Sequence, residues 1–316
     1  MQTTSRRIES CTPVPVRPTR NGRLVDTARI LRSLGIGAPS DVLIRLIDQT
    51  LGVAEFERLC AGAGVTASNA NVRGQIADVF AAAGIRWKVR DQSGGADLPR
   101  TGPLIFYSNH PYGFADALIG LSTALVHRPD TKVLANSNLA AFDFYAAHTI
   151  RVDLGGGEKR LATNRTALRD TLRHLRAGGA LLIFPSQVCA HLELPACRVT
   201  DPPWSPHLLS LIDLSGASSV PLYFHGHNSW RFQVLGLIHP VFRTLLLLRE
   251  FVGLKGRRID VCMGAPLTAA ETGTGETVAE RMRRLRERVY ALRTACVRPR
   301  SATLMRSLAR YGSFDR

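Results

Sequence analysis

Residues 102–118 read GPLIFYSNHPYGFADAL, and this stretch decides the fold. Its first half, Leu104, Ile105, Phe106 and Tyr107, is an unbroken apolar, β-favouring run, the pattern of a strand covered on both faces. Pro111 suits the first turn of a helix, and helical periodicity takes over from 114 to 127. The segment is therefore strand, turn, helix. His110 falls at the strand end, and Asp116 lies six positions later on the first turns of the helix. There the positive end of the helix dipole favours the neutral imidazole, the form a general base needs. Asp116 can reach back to one ring nitrogen, fixing the tautomer and stabilising the imidazolium formed when the other nitrogen takes a proton. A His–Asp pair with no nucleophile of its own implies that the substrate supplies one. The plainer alternative is a capping histidine beside an unrelated surface carboxylate.

The same texture continues along the chain. Strand candidates are IRWKVRD, GPLIFYSN, TKVLAN, HTIRVDL, ALLIFPS, SVPLYFHG and RIDVCMGAPL. Between them lie helix candidates at 114–127, 138–147, 158–177, 206–216, 239–251 and 276–297. This alternation predicts an α/β fold with a mixed, largely parallel sheet flanked by helices, and ligands where the strands end. Polar clusters at such ends are SNHP, RVDL, FPSQ and FHGHNS. Residues 1–24, rich in Pro, Thr, Ser and Arg, predict a disordered basic arm. Residues 25–84 carry helical segments (DTARILRSLG, DVLIRLIDQTLG, VRGQIADVFAAAG) and predict a helical N-terminal cap. The α/β domain covers 85–297, and 298–316 form a basic tail.

A formal charge of +16, from 41 basic against 25 acidic side chains, predicts an anionic partner: nucleic acid, a lipid surface or a phosphate-bearing substrate. No basic strand interleaved with aromatics and no helix-turn-helix signature is present, which counts against nucleic acid. An Arg-heavy surface also follows from a GC-rich genome. No run approaches the roughly eighteen apolar residues that span a bilayer, and the Arg-rich N-terminus lacks the apolar core of a secretory signal. The expected location is the cytoplasm. The six cysteines form no CxxC pair, so reduced, partly buried thiols are expected.

Other chemistries leave little trace. The chain has no G-x-S-x-G elbow, phosphate loop, dinucleotide fingerprint or H-E-x-x-H. GGGEK lacks phosphate-loop spacing, although Lys159 and Arg160 can meet an anion at a helix start. His225 and His227, two apart at a strand end, have a spacing used by metal-dependent hydrolases. Cys189, His191, Cys197 and His207 add donors whose spacing matches no standard site.

Several blocks together resemble the bacterial lysophospholipid acyltransferases, the superfamily of 1-acylglycerol-3-phosphate acyltransferase, and most closely its hemolysin-like or glycerol acyltransferase branch. They are GPLIFYSNHPYGFADAL, RVDLGGGEKR, GALLIFPSQV, VTDPPWSPHLLSLIDLSGASSVPLYFHGHNS with FQVLGLIHPVFRTLLLLRE, and GRRIDVCMGAPL, in order from about 100 to 267. The resemblance implies acyl transfer from a thioester, acyl-CoA or acyl carrier protein, to a lysolipid hydroxyl. It needs no metal and no cofactor beyond the donor as co-substrate. It makes His110 the base and Asp116 its partner, with five residues between them where the superfamily usually has four. It implies substrate contacts at Asn109, Gly113, Phe184, Pro185, Ser186, Gly226, Asn228 and Ser229, and leaves His225 and His227 at variable positions.

The third block departs from the superfamily's Phe-Pro-Glu-Gly-Thr-Arg. Here it reads Phe184, Pro185, Ser186, Gln187, Val188, without the charged pair linked to acceptor binding. Arg151 is the first replacement, with Arg198 and Arg231 behind it; a solvated surface charge is the plain reading of each. The segment VLGLIHPVFRTLLLLREFVGL, with helix 239–251, combines an apolar run with Arg243, Arg249, Lys255, Arg257 and Arg258. It predicts contact with an anionic membrane surface; a buried core helix gives the same run. The row Arg165, Arg169, Arg173 and Arg176 forms one basic face, either solvated or docking acidic carrier protein or lipid. The expectation is an O-acyltransferase of membrane lipid synthesis, peripheral on the inner face of the cell membrane. A metal-dependent hydrolase and a basic lipid-binding protein with a vestigial site are the alternatives.

Overall fold

The computed structural model describes residues 37, 40–65, 71–136, 143–153, 158–273 and 276–296. The expected arm (1–24), the first helical segment (26–35), most of GGGEK, the first half of the 138–147 helix and the tail (298–316) lie outside the described residues.

In chain order the elements are α1 (Asp41–Thr50), α2 (Val53–Gly62), α3 (Val72–Ala82), β1 (Arg86–Gln92), β2 (Leu104–Ser108), α4 (Phe114–His127) and β3 (Lys132–Asn136). A 3-10 turn (Asp143–His148), β4 (Thr149–Val152), α5 (Glu158–Arg176), β5 (Ala180–Ile183), β6 (His191–Glu193), β7 (Arg198–Thr200) and α6 (His207–Ser215) follow. The chain continues through β8 (Ser218–Phe224), α7 (Trp230–Ile238), α8 (Val241–Leu245), α9 (Leu247–Gly253), β9 (Arg258–Gly264), α10 (Val278–Ala291) and α11 (Arg293–Cys296).

All seven strand candidates enter one sheet, in the order β1-β9-β8-β2-β5-β3-β4. The five strands from β8 to β4 are mutually parallel, and β9 meets β8 antiparallel while pairing parallel with β1. The sheet is thus mixed and largely parallel, as expected. Its central strands β2 and β5 are buried at every position, because helices cover both faces. Side-chain alternation divides the core. Leu104, Phe106, Leu182, Val220 and Leu222 point to one face with α2, α3, α4 and α9. Ile105, Tyr107, Leu181 and Ile183 point to the other with α6 and α10.

The N-terminal helices α2 and α3 share the first core with the sheet. Phe56, Phe80, Phe114 and Phe251, from four different helices, meet edge-to-face with ring centroids 5.2–5.5 Å apart, the geometry the ring quadrupole favours. Two expectations need correction. The helix expected at 239–251 is two short helices that meet at Leu246, preceded by the unexpected α7. The thiols are not all reduced, since Cys262 on β9 and Cys296 on α11 form a disulfide, while Cys60, Cys189 and Cys197 are free.

Candidate active site

The sheet topology creates the crevice. From β2 the chain runs through α4 towards β3, whereas from its neighbour β5 it runs through α6 to β8 on the opposite side. Strands whose onward connections part leave a gap between their carboxyl ends, where ligands bind. His110 follows β2 and Phe184 follows β5, and their rings stack across the gap with centroids 4.1 Å apart.

The backbone of His110 is held from two sides. Its N–H donates to Asp201 Oδ1 at 3.1 Å, and its carbonyl accepts from Ala190 N at 2.8 Å. Nδ1 lies 3.2 Å from Asp116 Oδ2, with the carboxylate fully buried. That oxygen is aimed at two backbone donors, Tyr112 N–H at 2.7 Å and Gly113 N–H at 2.9 Å. The ring therefore meets it as a close contact off the hydrogen-bond line. Asp116 occupies the third position of α4 and reaches back to its N-cap, half of a capping box. Gly113 makes this possible at φ 71°. A Cβ there would sit 2.6 Å from Cys189 Sγ and 2.7 Å from Leu247 Cδ2. This turn brings the pair together despite five intervening residues.

Burial raises the Asp116 carboxyl above its ordinary value, opposed by His110 and the two amides. With Nδ1 on the Asp116 side, Nε2 is the ring nitrogen left to meet a ligand in the cavity that His110 lines. Asp201, which sequence reasoning missed, is a second buried carboxylate raised by burial. Its other oxygen accepts from Trp204 Nε1, and its carbonyl accepts from Arg286 on α10. Only its place in the block VTDPPW singled it out.

The pair opens on a cavity of about 600 Å³. Leu134, Val152, Leu161, Leu168, Ile183 and Leu208 give it an apolar wall under α5, while Arg165, His207, Arg243 and Asp153 add charge or polarity. Gly113, Phe184 and Pro185 line it. Ser186 turns away to donate to the Val188 carbonyl at 2.9 Å, and Gln187, at φ 63°, lines the cavity instead.

Other expected contacts sit elsewhere. Asn109 is buried and spends its amide on Phe224, donating to its carbonyl at 2.9 Å and accepting from its N–H at 2.8 Å, so it pins β2 to β8. Gly226 makes room for Tyr112, whose hydroxyl donates to the His225 carbonyl at 3.0 Å and would collide with a Cβ at 226. Ser229 caps α7 and is gripped by Glu250 at 2.6 and 2.7 Å. Asn228 is buried, and its side-chain amide has no hydrogen-bond partner among the described residues. None of these four lines the cavity. The same is true of Arg151, exposed on the edge strand β4, and of Arg198, exposed in the β6–β7 hairpin. Beside Arg151, Val152 lines the cavity instead, because successive side chains alternate along a strand. Arg231 is exposed on α7. In the basic row of α5, Arg165 lines the cavity, Arg173 pairs with Asp170, and Arg176 donates to the Leu214 carbonyl.

Gly226→Ala is expected to lower stability and activity together, because Tyr112 carries the turn beside His110. Tyr112→Phe in the same chain removes the colliding hydroxyl and restores part of both, read by thermal melting and initial rates. Equal loss with and without the second change would remove the steric account.

Among the described residues no three His, Cys, Asp or Glu side chains group to hold an ion, and His227 Nδ1 is 2.7 Å from the Asn228 carbonyl.

No curated protein sequence matches the chain. Among solved structures it is similar to the 1-acyl-sn-glycerophosphate (LPA) acyltransferase, PlsC, from Thermotoga maritima, with 14% sequence identity and a TM-score of 0.46 over 72% of this chain and 80% of that one. The family model described as "Acyltransferase" matches residues 71–297, which hold the sheet, the His110–Asp116 pair and the cavity wall, and the chain belongs to that acyltransferase family.

Proposed function

We propose that the chain transfers a fatty acyl group from a thioester, acyl-CoA or acyl carrier protein, to the hydroxyl of a lysophospholipid or related lysolipid. The observation that carries this is a His–Asp pair, 3.2 Å apart, at the mouth of a largely apolar cavity. Nε2 of His110 takes the acceptor hydroxyl proton while Asp116 steadies the imidazolium. The alkoxide attacks the thioester carbonyl, and the tetrahedral intermediate collapses to the ester with loss of the thiolate. The proton on His110 then passes to that thiolate, so no group on the enzyme is acylated and the cycle closes. The amides of Tyr112 and Gly113, first candidates to hold the oxyanion, are already given to Asp116. The oxyanion therefore draws on other donors around the crevice.

Arg243 replaces Arg151 as the residue for the acceptor's anionic group. It lines the cavity and donates through Nη2 to the Gly236 carbonyl at 2.8 Å, and its Nε is buried without a partner among the described residues. Burial lowers its pKa, yet a guanidinium stays charged, and an anion in the cavity would offset that cost. Arg243→Ala is expected to raise the acceptor KM roughly ten- to a hundredfold, the loss of a charge-assisted hydrogen bond of about 1.5–3 kcal/mol. The donor KM changes little and Arg151→Ala changes neither. A rise confined to the donor KM would move Arg243 to the thioester side.

The deciding assay offers purified enzyme labelled acyl-CoA or acyl carrier protein with a panel of lysolipids, and identifies products by mass. Absence of any acylated lipid from every combination would overturn the proposal. A peripheral site on the inner face of the cell membrane completes the reading, supported by the excess of basic side chains and by the lipid nature of the acceptor.

A further inference from the structure

We infer that the exposed face of α7 (Trp230–Ile238) docks on an anionic lipid bilayer and sets the cavity mouth against it. This rests on the lipid acceptor proposed above and adds the surface that delivers it. Trp230, Val234, Leu237 and Ile238 are 62, 53, 41 and 70% exposed. At 3.6 residues per turn they fall within an arc of about 100°. The opposite face, Phe232, Gln233 and Gly236, is buried. An ordinary surface helix turns polar residues outward, whereas α7 turns apolar ones outward, and an exposed apolar stripe marks an interaction site.

The charge along this segment selects the partner. From Ser229 to Arg249 the chain has three arginines, Arg231, Arg243 and Arg249, and no acidic residue. The first carboxylate, Glu250, is buried and bound to Ser229. Arg231, Arg249, Lys255, Arg257 and Arg258 are exposed. An apolar face that carries Arg231, in a segment whose exposed charges are cationic, suits the boundary between acyl chains and anionic head groups. Directly after α7, Pro240, Arg243, Thr244 and Leu247 line the cavity, so a lysolipid leaving the bilayer beside α7 meets the site at once. No described helix is long and apolar enough to cross a membrane, so α7 lies in the interface. Within the expected segment 234–254 the contact falls on its first residues, at the end of α7, because Leu246, Leu247, Leu248 and Phe251 are buried in the core.

The test uses the full chain with vesicles of phosphatidylcholine, alone or mixed with phosphatidylglycerol. Co-sedimentation should require the anionic lipid and weaken with salt, and Val234→Asp with Ile238→Asp should reduce affinity at least tenfold. Brominated lipid should quench tryptophan emission, and Trp230→Phe should abolish that quenching, since Trp204 is buried and Trp87 partly so. Unchanged vesicle affinity in the double variant would overturn the inference. So would Trp230 shielded from aqueous iodide in a monomer, which means that the chain itself covers the face. A dimer that the double variant dissociates, without vesicle binding by either protein, would assign the face to a second copy and overturn it equally. Transfer to a lysolipid in detergent micelles should survive in the double variant. Vesicle binding as described with no transfer in micelles sinks the acyl-transfer reading alone and leaves the docking face supported.

Discussion

His110→Ala is expected to reduce acyl transfer by about 10²–10⁴-fold, the range that a positioned general base contributes, without unfolding the chain. The backbone contacts of residue 110 to Asp201 and Ala190 do not involve its side chain, and the imidazole sits at the cavity edge with 14% exposure. What is lost is the proton acceptor and the ring that faces Asp116. Two other side chains near the turn could in principle carry an acyl group, and both are poorly placed. Ser108 is fully buried and donates to the Asn109 carbonyl at 2.9 Å. Burial pushes the Cys189 thiol far above its ordinary pKa, which suppresses the thiolate that a nucleophile requires. Ser108→Ala and Cys189→Ala should therefore keep most activity. Intact-protein mass spectrometry of enzyme quenched with donor alone should show no stoichiometric adduct. An acylated Ser108 or Cys189 would replace direct transfer with covalent catalysis, and persistent transfer in His110→Ala would overturn the assignment of the base.

The strands and the crevice were legible because buried parallel strands are continuous apolar runs and their ends carry out-of-place polar residues. LIFYS followed by NHP shows both. Helix α4 matched its expected bounds because Pro111 and Gly113 punctuate its start. The charged wall of the cavity was not legible. Arg151 and Arg243 are equally basic in the sequence, and only the face that each element buries separates them. Asp201 lay hidden for a related reason: a carboxylate ninety-one positions from the histidine announces itself only when the β6–β7 hairpin and α10 fold it under the His110 amide. Gly226 was assigned to substrate, yet its missing Cβ is occupied by the Tyr112 hydroxyl. A residue that positions the site has the same motif signature as one that touches the ligand.

Asp116→Asn is expected to separate function from stability. The amide oxygen can still accept from Tyr112 and Gly113, so the start of α4 is retained. An amide cannot stabilise the imidazolium, and transfer should fall on the order of 10²–10⁴-fold. Stability should move the other way. Burial raises the folded-state pKa of Asp116 above its unfolded value. As pH climbs between those two values, the folded protein binds more protons than the unfolded one, and ionising the buried group costs stability. Asparagine does not titrate. The stability difference between Asp116→Asn and the parent protein should therefore shift in favour of the variant as pH rises through the raised pKa, then level off. Chemical denaturation across a pH series measures it, in a background where Asp201, raised for the same reason, is unchanged. A variant that loses ground to the parent as pH rises would show the opposite sign: a carboxylate held below its ordinary pKa by His110 and the two amides, stabilising the turn as well as the base.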